Sequence, residues 1–219
     1  MKFLIRFADH SDPASLSSRF RRARFKLFLN LLHEMPAGPV NILDVGGTEG
    51  FWLSMGKIDR EISITLLNLE KIATRQKNIS TVAGDARSMP QFKDGQFDIV
   101  FSNSVIEHVG VYQDQQRMAE EIRRIGRKYF VQTPNYYFPL EPHFLFPFFH
   151  WLPFKIRVWL VQHFSLGWFE RMRNREEAEK LVSGTRLMKS SELKQIFPGA
   201  EIWHERILWI TKSLVAIKK

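Results

Sequence analysis

The sequence predicts an α/β fold built on a doubly wound, mostly parallel sheet, and three observations carry that prediction. An apolar run, Val40-Asn41-Ile42-Leu43, reads as a short buried strand that stops at Asp44. Gly46, Gly47 and Gly50 follow at once, and a helix is expected to open near Thr48-Glu49. Strand, glycine loop and helix N-terminus together bring backbone N–H groups close to a ligand. Further apolar runs then recur down the chain, each ending in polar or glycine residues. Right-handed crossovers between such strands give a parallel sheet whose ligand crevice lies beyond the strand C-termini.

Taken in order, Asp12-Pro13-Ala14-Ser15 offers an N-cap and a first-turn proline, and a helix is expected from Ala14 to Glu34. Its apolar side comprises Phe20, Ala23, Leu27 and Leu31, with Phe28 and Leu32 beside them. Arg19, Arg21, Arg22, Arg24 and Lys26 crowd its first half, as a solvated face or as a contact for phosphate or lipid headgroups. A short helix from Glu49 to Gly56 is followed by strands over Ile62–Leu67 and Ile79–Gly84, with a helix expected between these two. Phe97–Phe101 is the fourth strand, Gln113–Ile125 an amphipathic helix with Met118, Ile122 and Ile125 inward, and Tyr129–Val131 the fifth strand. The segment 133–170 departs from a minimal fold, because Pro134, Pro139, Pro142, Pro147 and Pro153 forbid one long helix. Lys155–Phe169 then reads as an amphipathic helix with Ile156, Trp159, Leu160, Phe164 and Trp168 on one side. Arg171–Glu179 is a charged helix or linker, Ser190 or Ser191 caps a helix over Glu192–Phe197, and Glu201–Ile207 and Leu208–Ile217 are the last strands.

VNILDVGGTEGF resembles motif I of the class I S-adenosylmethionine methyltransferases, acidic-x-Gly-x-Gly-x-Gly, with Asp44, Gly46 and Gly50 matching and Thr48 in place of the middle glycine. Val82-Ala83-Gly84-Asp85-Ala86 resembles the segment that holds the adenine in that family, and Val105-Ile106-Glu107-His108-Val109 the segment after the fourth strand in its small-molecule members. TPNYYFPLEPHF resembles a branch with an EPH-type element after the fifth strand. The resemblance implies a Rossmann-like, seven-stranded sheet with the last strand placed beside the fifth. The aromatic helical insertion after the fifth strand is read from its own residues as a cap over the acceptor pocket, with a satellite core, the lining of an apolar pocket and a membrane-interface contact as the open alternatives. It implies S-adenosyl-L-methionine as cofactor, with Asp44, Gly46, Gly47, Gly50, Asn68, Glu70, Asp85, Ala86 and Asn103 as its binding residues. Glu70 stands about 20 positions past the glycines, where an acid meets ribose hydroxyls. Asn68 takes the strand-end place where the family usually has that acid, so both remain candidates. His108, His143 and Glu141 are the acceptor-side candidates, since histidine titrates near neutrality and a hydroxyl acceptor must lose a proton.

The totals narrow the alternatives. The chain has 219 residues and no cysteine, which removes disulfides, thiolate metal sites and a cysteine nucleophile. No Gly-Lys-Ser/Thr follows the glycine loop, which excludes a P-loop, and the NPPY-type motif of nucleobase N-methyltransferases is missing. Histidine and carboxylate spacings suggest no metal-ligand set, so none is expected. MKFLIRFADHSDP lacks the apolar run of a secretory signal, and no stretch is long and apolar enough to span a bilayer. The expectation is a single domain, with a helix at 1–39, a cofactor core at 40–132, a cap at 133–180 and a closing helix and two strands at 181–219. Its expected task is methyl transfer to an oxygen of a small or lipid-like acceptor, in the cytoplasm or peripherally at a membrane. The net charge of +9 keeps two other readings open, an RNA-directed methyltransferase and a non-catalytic, membrane-associated protein with the same fold.

Overall fold

The computed structural model describes residues 15–219, so the expected cap at Asp12 and Pro13 lies outside the described residues. Seven strands form one sheet in the order β3-β2-β1-β4-β5-β9-β8. They are β1 (Val40–Val45), β2 (Ile62–Asn68), β3 (Ile79–Ala83), β4 (Phe97–Asn103), β5 (Gly126–Pro134), β8 (Glu201–Ile207) and β9 (Ile210–Lys218). The first five run parallel, with Val45 beside Leu67 on one side and Ser102 on the other. β9 runs antiparallel between β5 and β8. A two-stranded hairpin, β6 (Leu140–Glu141) and β7 (Phe146–Pro147), stands apart. The helices are α1 (Leu16–His33), α2 (Glu49–Ser54), α3 (Tyr112–Ile125), α4 (Phe154–His163), α5 (Arg175–Ser183) and α6 (Ser190–Ile196).

Strand periodicity divides the apolar residues between the two sheet faces. Leu43, Val45, Val100, Tyr129, Leu214 and Ala216 pack against Met118, Ile122 and Ile125 of α3 and Leu193 and Ile196 of α6. Ile42, Leu66, Ile99, Phe101, Phe130 and Val215 pack against Phe25, Phe28, Leu31 and Leu32 of α1 and Trp52 of α2. Burial on both faces is why the parallel strands read as continuous apolar runs. Phe101 and Phe130 stack at 5.4 Å, and the Phe28 ring meets each edge-on.

Several local expectations are corrected. The inward side of α1 is rotated by about one position: Ala23 is exposed, while Arg24, Phe25, Phe28, Leu31 and Leu32 are buried. Arg24 faces inward because Glu205 of β8 lies opposite, its carboxylate taking Arg24 Nη1 at 2.7 Å. Ser15 is the N-cap, its side chain accepting from the Ser18 N–H. No helix separates β2 from β3; that connection is held instead by Glu49, whose Oε1 accepts from the N–H groups of Arg75 and Gln76. The N-cap of α6 is Lys189, with the Glu192 carboxylate accepting from the Lys189 N–H.

The cap follows a different rule. Phe144, Phe149, Val158, Val161, Leu166, Ala178 and Val182 form a small core of their own, with Phe144 and Phe149 stacked at 4.1 Å. α4 ends at His163 and turns a different side inward from the one expected. Val158 and Val161 are buried, whereas Ile156, Trp159, Phe164 and Trp168 are each about half exposed. Among the described residues, no helix is long and apolar enough to cross a membrane.

Candidate functional site

The C-terminal ends of β1 to β4 lie side by side along one sheet edge, so Gly46, Glu70 and Asp85 just beyond three of them and Asn103 at the tip of β4 share that edge. Asp44, Gly46, Gly47, Gly50 and Asn103 line one crevice of about 500 Å³ there, with Thr48, Phe51 and Phe101. The loop needs its glycines. Gly46 has φ of +74°, and a Cβ on it would meet Val105 Cγ2 at 2.5 Å. A Cβ on Gly47 would sit 1.7 Å from Asp44 Oδ2. Thr48 opens α2 as its N-cap in extended backbone, so replacing the middle glycine of the motif carries no strain.

Asp44 shares the face of Ile42 and is 1% exposed, its Oδ2 accepting from Trp52 Nε1 at 2.8 Å. Burial pushes its carboxyl up to about 8, against the pull of the Trp52 hydrogen bond. It braces the loop from behind as well as lining the crevice. Asn68 likewise serves the loop, its Nδ2 donating to the Gly47 carbonyl at 3.0 Å. Glu70 stands exposed in the bend after β2. Ala86 is buried in the turn after β3, and the Asp85 carboxylate is taken by Arg87, whose Nη2 donates at 2.6 Å. That hydrogen bond outweighs partial burial and holds Asp85 below the usual carboxylate range.

One crevice residue escapes the motif reading. Arg21 of α1 lines the loop side, although its segment reads in sequence only as a basic helix face. Desolvation, and then the nearby Arg24 charge, lower its pKa from the ordinary guanidinium value. No signal in the sequence distinguishes it from Arg19 or Arg22, both exposed.

Beyond Asn103 the chain turns through Ser104, at φ of +58°, into a 3-10 turn at Ile106–His108. The fold brings the three acceptor-side candidates together around that turn. Glu141 Oε1 binds His143 Nδ1 at 2.7 Å, and His143 Nε2 lies 3.0 Å from His108 Nε2. Glu141 is itself fixed, its Oε2 accepting from the N–H groups of His143 and Phe144. Glu107 joins the group with no exposed surface, its Oε2 accepting from Thr133 Oγ1 at 2.9 Å. Burial pushes Glu107 up to about 7. Burial, and then the charge of His143, lower His108. Burial also opposes charge on His143, but the Glu141 hydrogen bond and charge outweigh it and raise that pKa. Gln115 secures the turn by donating to the carbonyls of Ile106 and Arg186.

Residues 43–129 match the family described as "Methyltransferase domain". That segment, about two-fifths of the chain, is similar to a methyltransferase domain. The matched segment begins within β1 and ends within β5. Two uncharacterized proteins from Mycobacterium tuberculosis, of strains CDC 1551 / Oshkosh and ATCC 25618 / H37Rv, are each 39% identical to the chain over 62 residues. Those matches span 28% of this chain and 21% of either relative. Among solved structures, the chain shares its fold with the CurJ carbon methyltransferase, at TM-score 0.54 and 10% identity over 90% of this chain and 53% of that one. The CMeT domain of the citrinin polyketide synthase gives TM-score 0.54 and 14% identity, covering 90% and 51%. A chain in the complex of the Haloferax volcanii Trm112 methyltransferase activator with a methyltransferase gives TM-score 0.50 and 16% identity, covering 91% and 92%.

The cofactor of such a domain is S-adenosyl-L-methionine, and the crevice fits it. Gly46, Gly47 and Gly50 carry no side chains to cover the loop's N–H groups, and Arg21 lines the same crevice as a cation.

Proposed function

We propose that the chain transfers a methyl group from S-adenosyl-L-methionine to an oxygen of a small or lipid-like acceptor. The observation that carries this reading is the adjacency of the glycine-loop crevice and the Glu141–His143–His108 array. Val105, which covers Gly46, stands only two residues before Glu107. The cofactor brings a methyl group already activated on a sulfonium, so the protein chiefly aligns two partners. Asp44, Asn68 and the glycines shape the loop, Glu70 is the candidate for the ribose hydroxyls, Asp85 and Ala86 flank the adenine side, and Arg21 faces the carboxylate of the amino-acid end. Glu141 is a positioning residue that turns His143 Nε2 toward His108, and the array receives the proton that a hydroxyl acceptor releases.

A pocket of about 350 Å³ adjoins the array, with Glu141 and Thr185 in its wall and Tyr136, Phe144, Arg157 and Lys189 around it. Of three cationic side chains in the lining, Arg186 is paired with Glu192, and aromatic walls with Arg157 and Lys189 suit an acceptor that combines an apolar body with an anionic group. The exposed aromatics of α4 support a peripheral membrane contact during delivery of such an acceptor. The RNA-directed reading loses ground, because Arg24 is buried against Glu205 and Arg21 faces the crevice.

The test is calorimetry with S-adenosylhomocysteine followed by methyl transfer from labelled cofactor into a metabolite and lipid extract. Binding is expected in wild type and about tenfold weaker in Arg21→Ala, the loss of one charge-assisted hydrogen bond. A folded protein that takes up no S-adenosylhomocysteine would overturn the reading.

A further inference from the structure

His108 and His143 meet nitrogen to nitrogen, an arrangement that needs one hydrogen or one cation between them. Glu141 is acceptor-only when ionised, so the hydrogen on His143 must sit on Nδ1, leaving a lone pair on Nε2. His108 Nδ1 faces two oxygens, the Gly184 carbonyl and Thr185 Oγ1, each at 3.4 Å. A hydrogen on His108 Nδ1 for the Gly184 carbonyl leaves a lone pair on Nε2, whereas a Thr185 hydroxyl donating to Nδ1 leaves the hydrogen on Nε2. The two nitrogens are 3.0 Å apart, which suits an N–H···N bond in the second assignment and a shared cation in the first. Nitrogens bound to one ion at about 2.0–2.1 Å stand about 3.0–3.4 Å from each other. Glu107 supplies a third donor: its Oε1 is fully buried and has no partner, although a buried carboxylate oxygen is normally satisfied. One ligand atom each from Glu107, His108 and His143 lies within 4.8 Å of the others.

We propose that Glu107, His108 and His143 bind one divalent first-row transition ion. The donor set, two imidazoles and one carboxylate, suits zinc, manganese, iron or cobalt better than calcium or magnesium, which favour all-oxygen sites. The outer contacts have the form that orients metal-bound histidines, a carboxylate on one ring and a backbone carbonyl on the other. Three protein ligands leave open positions, the mark of a site that also takes substrate. The role of the ion, though not its binding, rests on the methyltransferase reading. With both imidazole nitrogens on the ion the array no longer takes the proton itself, and a coordinated acceptor hydroxyl would release it to solvent. The oxygen then forms its bond to the methyl carbon as the carbon–sulfur bond breaks, and the thioether departs. The ion cannot be inferred from spacing, because α3 and β5 separate the two histidines in sequence.

The experiment uses untagged full chain stripped with chelator and titrated with Co(II) and Zn(II), beside a separate titration with S-adenosylhomocysteine. One ion per chain is expected, with visible Co(II) absorption, a higher Tm on Zn(II) addition, and at least tenfold weaker binding in His108→Ala and in His143→Ala. Glu141→Gln, which touches no ion, is expected to lose about 10–100-fold in metal affinity. Zinc binding that these variants leave unchanged overturns the proposal, as does a folded chain that binds S-adenosylhomocysteine but neither ion. In that second case a proton shared by the histidines occupies the gap and the methyltransferase reading stands. Metal uptake without S-adenosylhomocysteine binding supports the ion and sinks the methyltransferase reading instead.

Discussion

The glycine-loop edge and the aromatic cap are both rich in large apolar side chains, and they use them in opposite ways. Along the loop edge, Phe28, Trp52, Phe101 and Phe130 are almost wholly buried and lock α1 and α2 to the sheet. In the cap, Phe144 and Phe149 are enclosed, while Trp151, Trp159, Phe164 and Trp168 remain on the surface. The difference teaches that aromatic content alone does not announce a core. In the first region the rings fix the geometry of a cofactor crevice; in the second they are left over after a small core is filled.

That contrast is sharpest in stability. Phe28→Ala is expected to cost about 3–5 kcal/mol, because its ring touches Phe25, Trp52, Phe101 and Phe130 with no exposed surface. Denaturant unfolding measures it, and a loss below about 1 kcal/mol would show that α1 is only loosely attached to the sheet.

A second, smaller effect lies in pH dependence at the loop edge. Asp44 is raised from 3.8 to about 8 in the fold, so between those values the unfolded chain has released a proton that the folded chain keeps. The contribution of this group to stability therefore falls as pH rises through that interval and levels off above it. Asp44→Asn keeps an oxygen for Trp52 Nε1 and removes the titration. The variant is expected to lose less Tm than wild type between pH 5 and pH 8; equal slopes would place the Asp44 carboxylate in contact with water.

The smallest expected change in stability is in the cap. Trp159→Ser on α4 is expected to shift stability by no more than about 0.5 kcal/mol, since half of the side chain is exposed. The same substitution is expected to weaken partition onto anionic lipid vesicles several-fold, measured by co-sedimentation. Unchanged partition would remove α4 from any lipid contact, and a large loss of stability would make its rings part of a core.

What could be read from the residues follows the same division. The five parallel strands and the glycine loop are local signals: an apolar run, a stop and a turn, each contained in a short window. The inward side of α1 was not available locally, because the reason that Arg24 faces inward is Glu205 on β8. Nor did sequence indicate which side of α4 is covered, because α5 decides it through Ala178 and Val182. Arg21 entering the crevice depends on how α1 crosses the sheet, and the meeting of His108 with His143 depends on where the cap hairpin returns. Signals that close within one strand and its turn were legible; those that close between distant segments were not.

The placement of β9 between β5 and β8 bears on how the molecule is made. A ribosome delivers β5 and β8 before the strand that joins them, so both hold unpaired edges until Ile210–Lys218 emerges. Folding of that half of the sheet is therefore delayed on the nascent chain, and a stalled or clipped product ending near Trp209 would carry two open edges prone to aggregation.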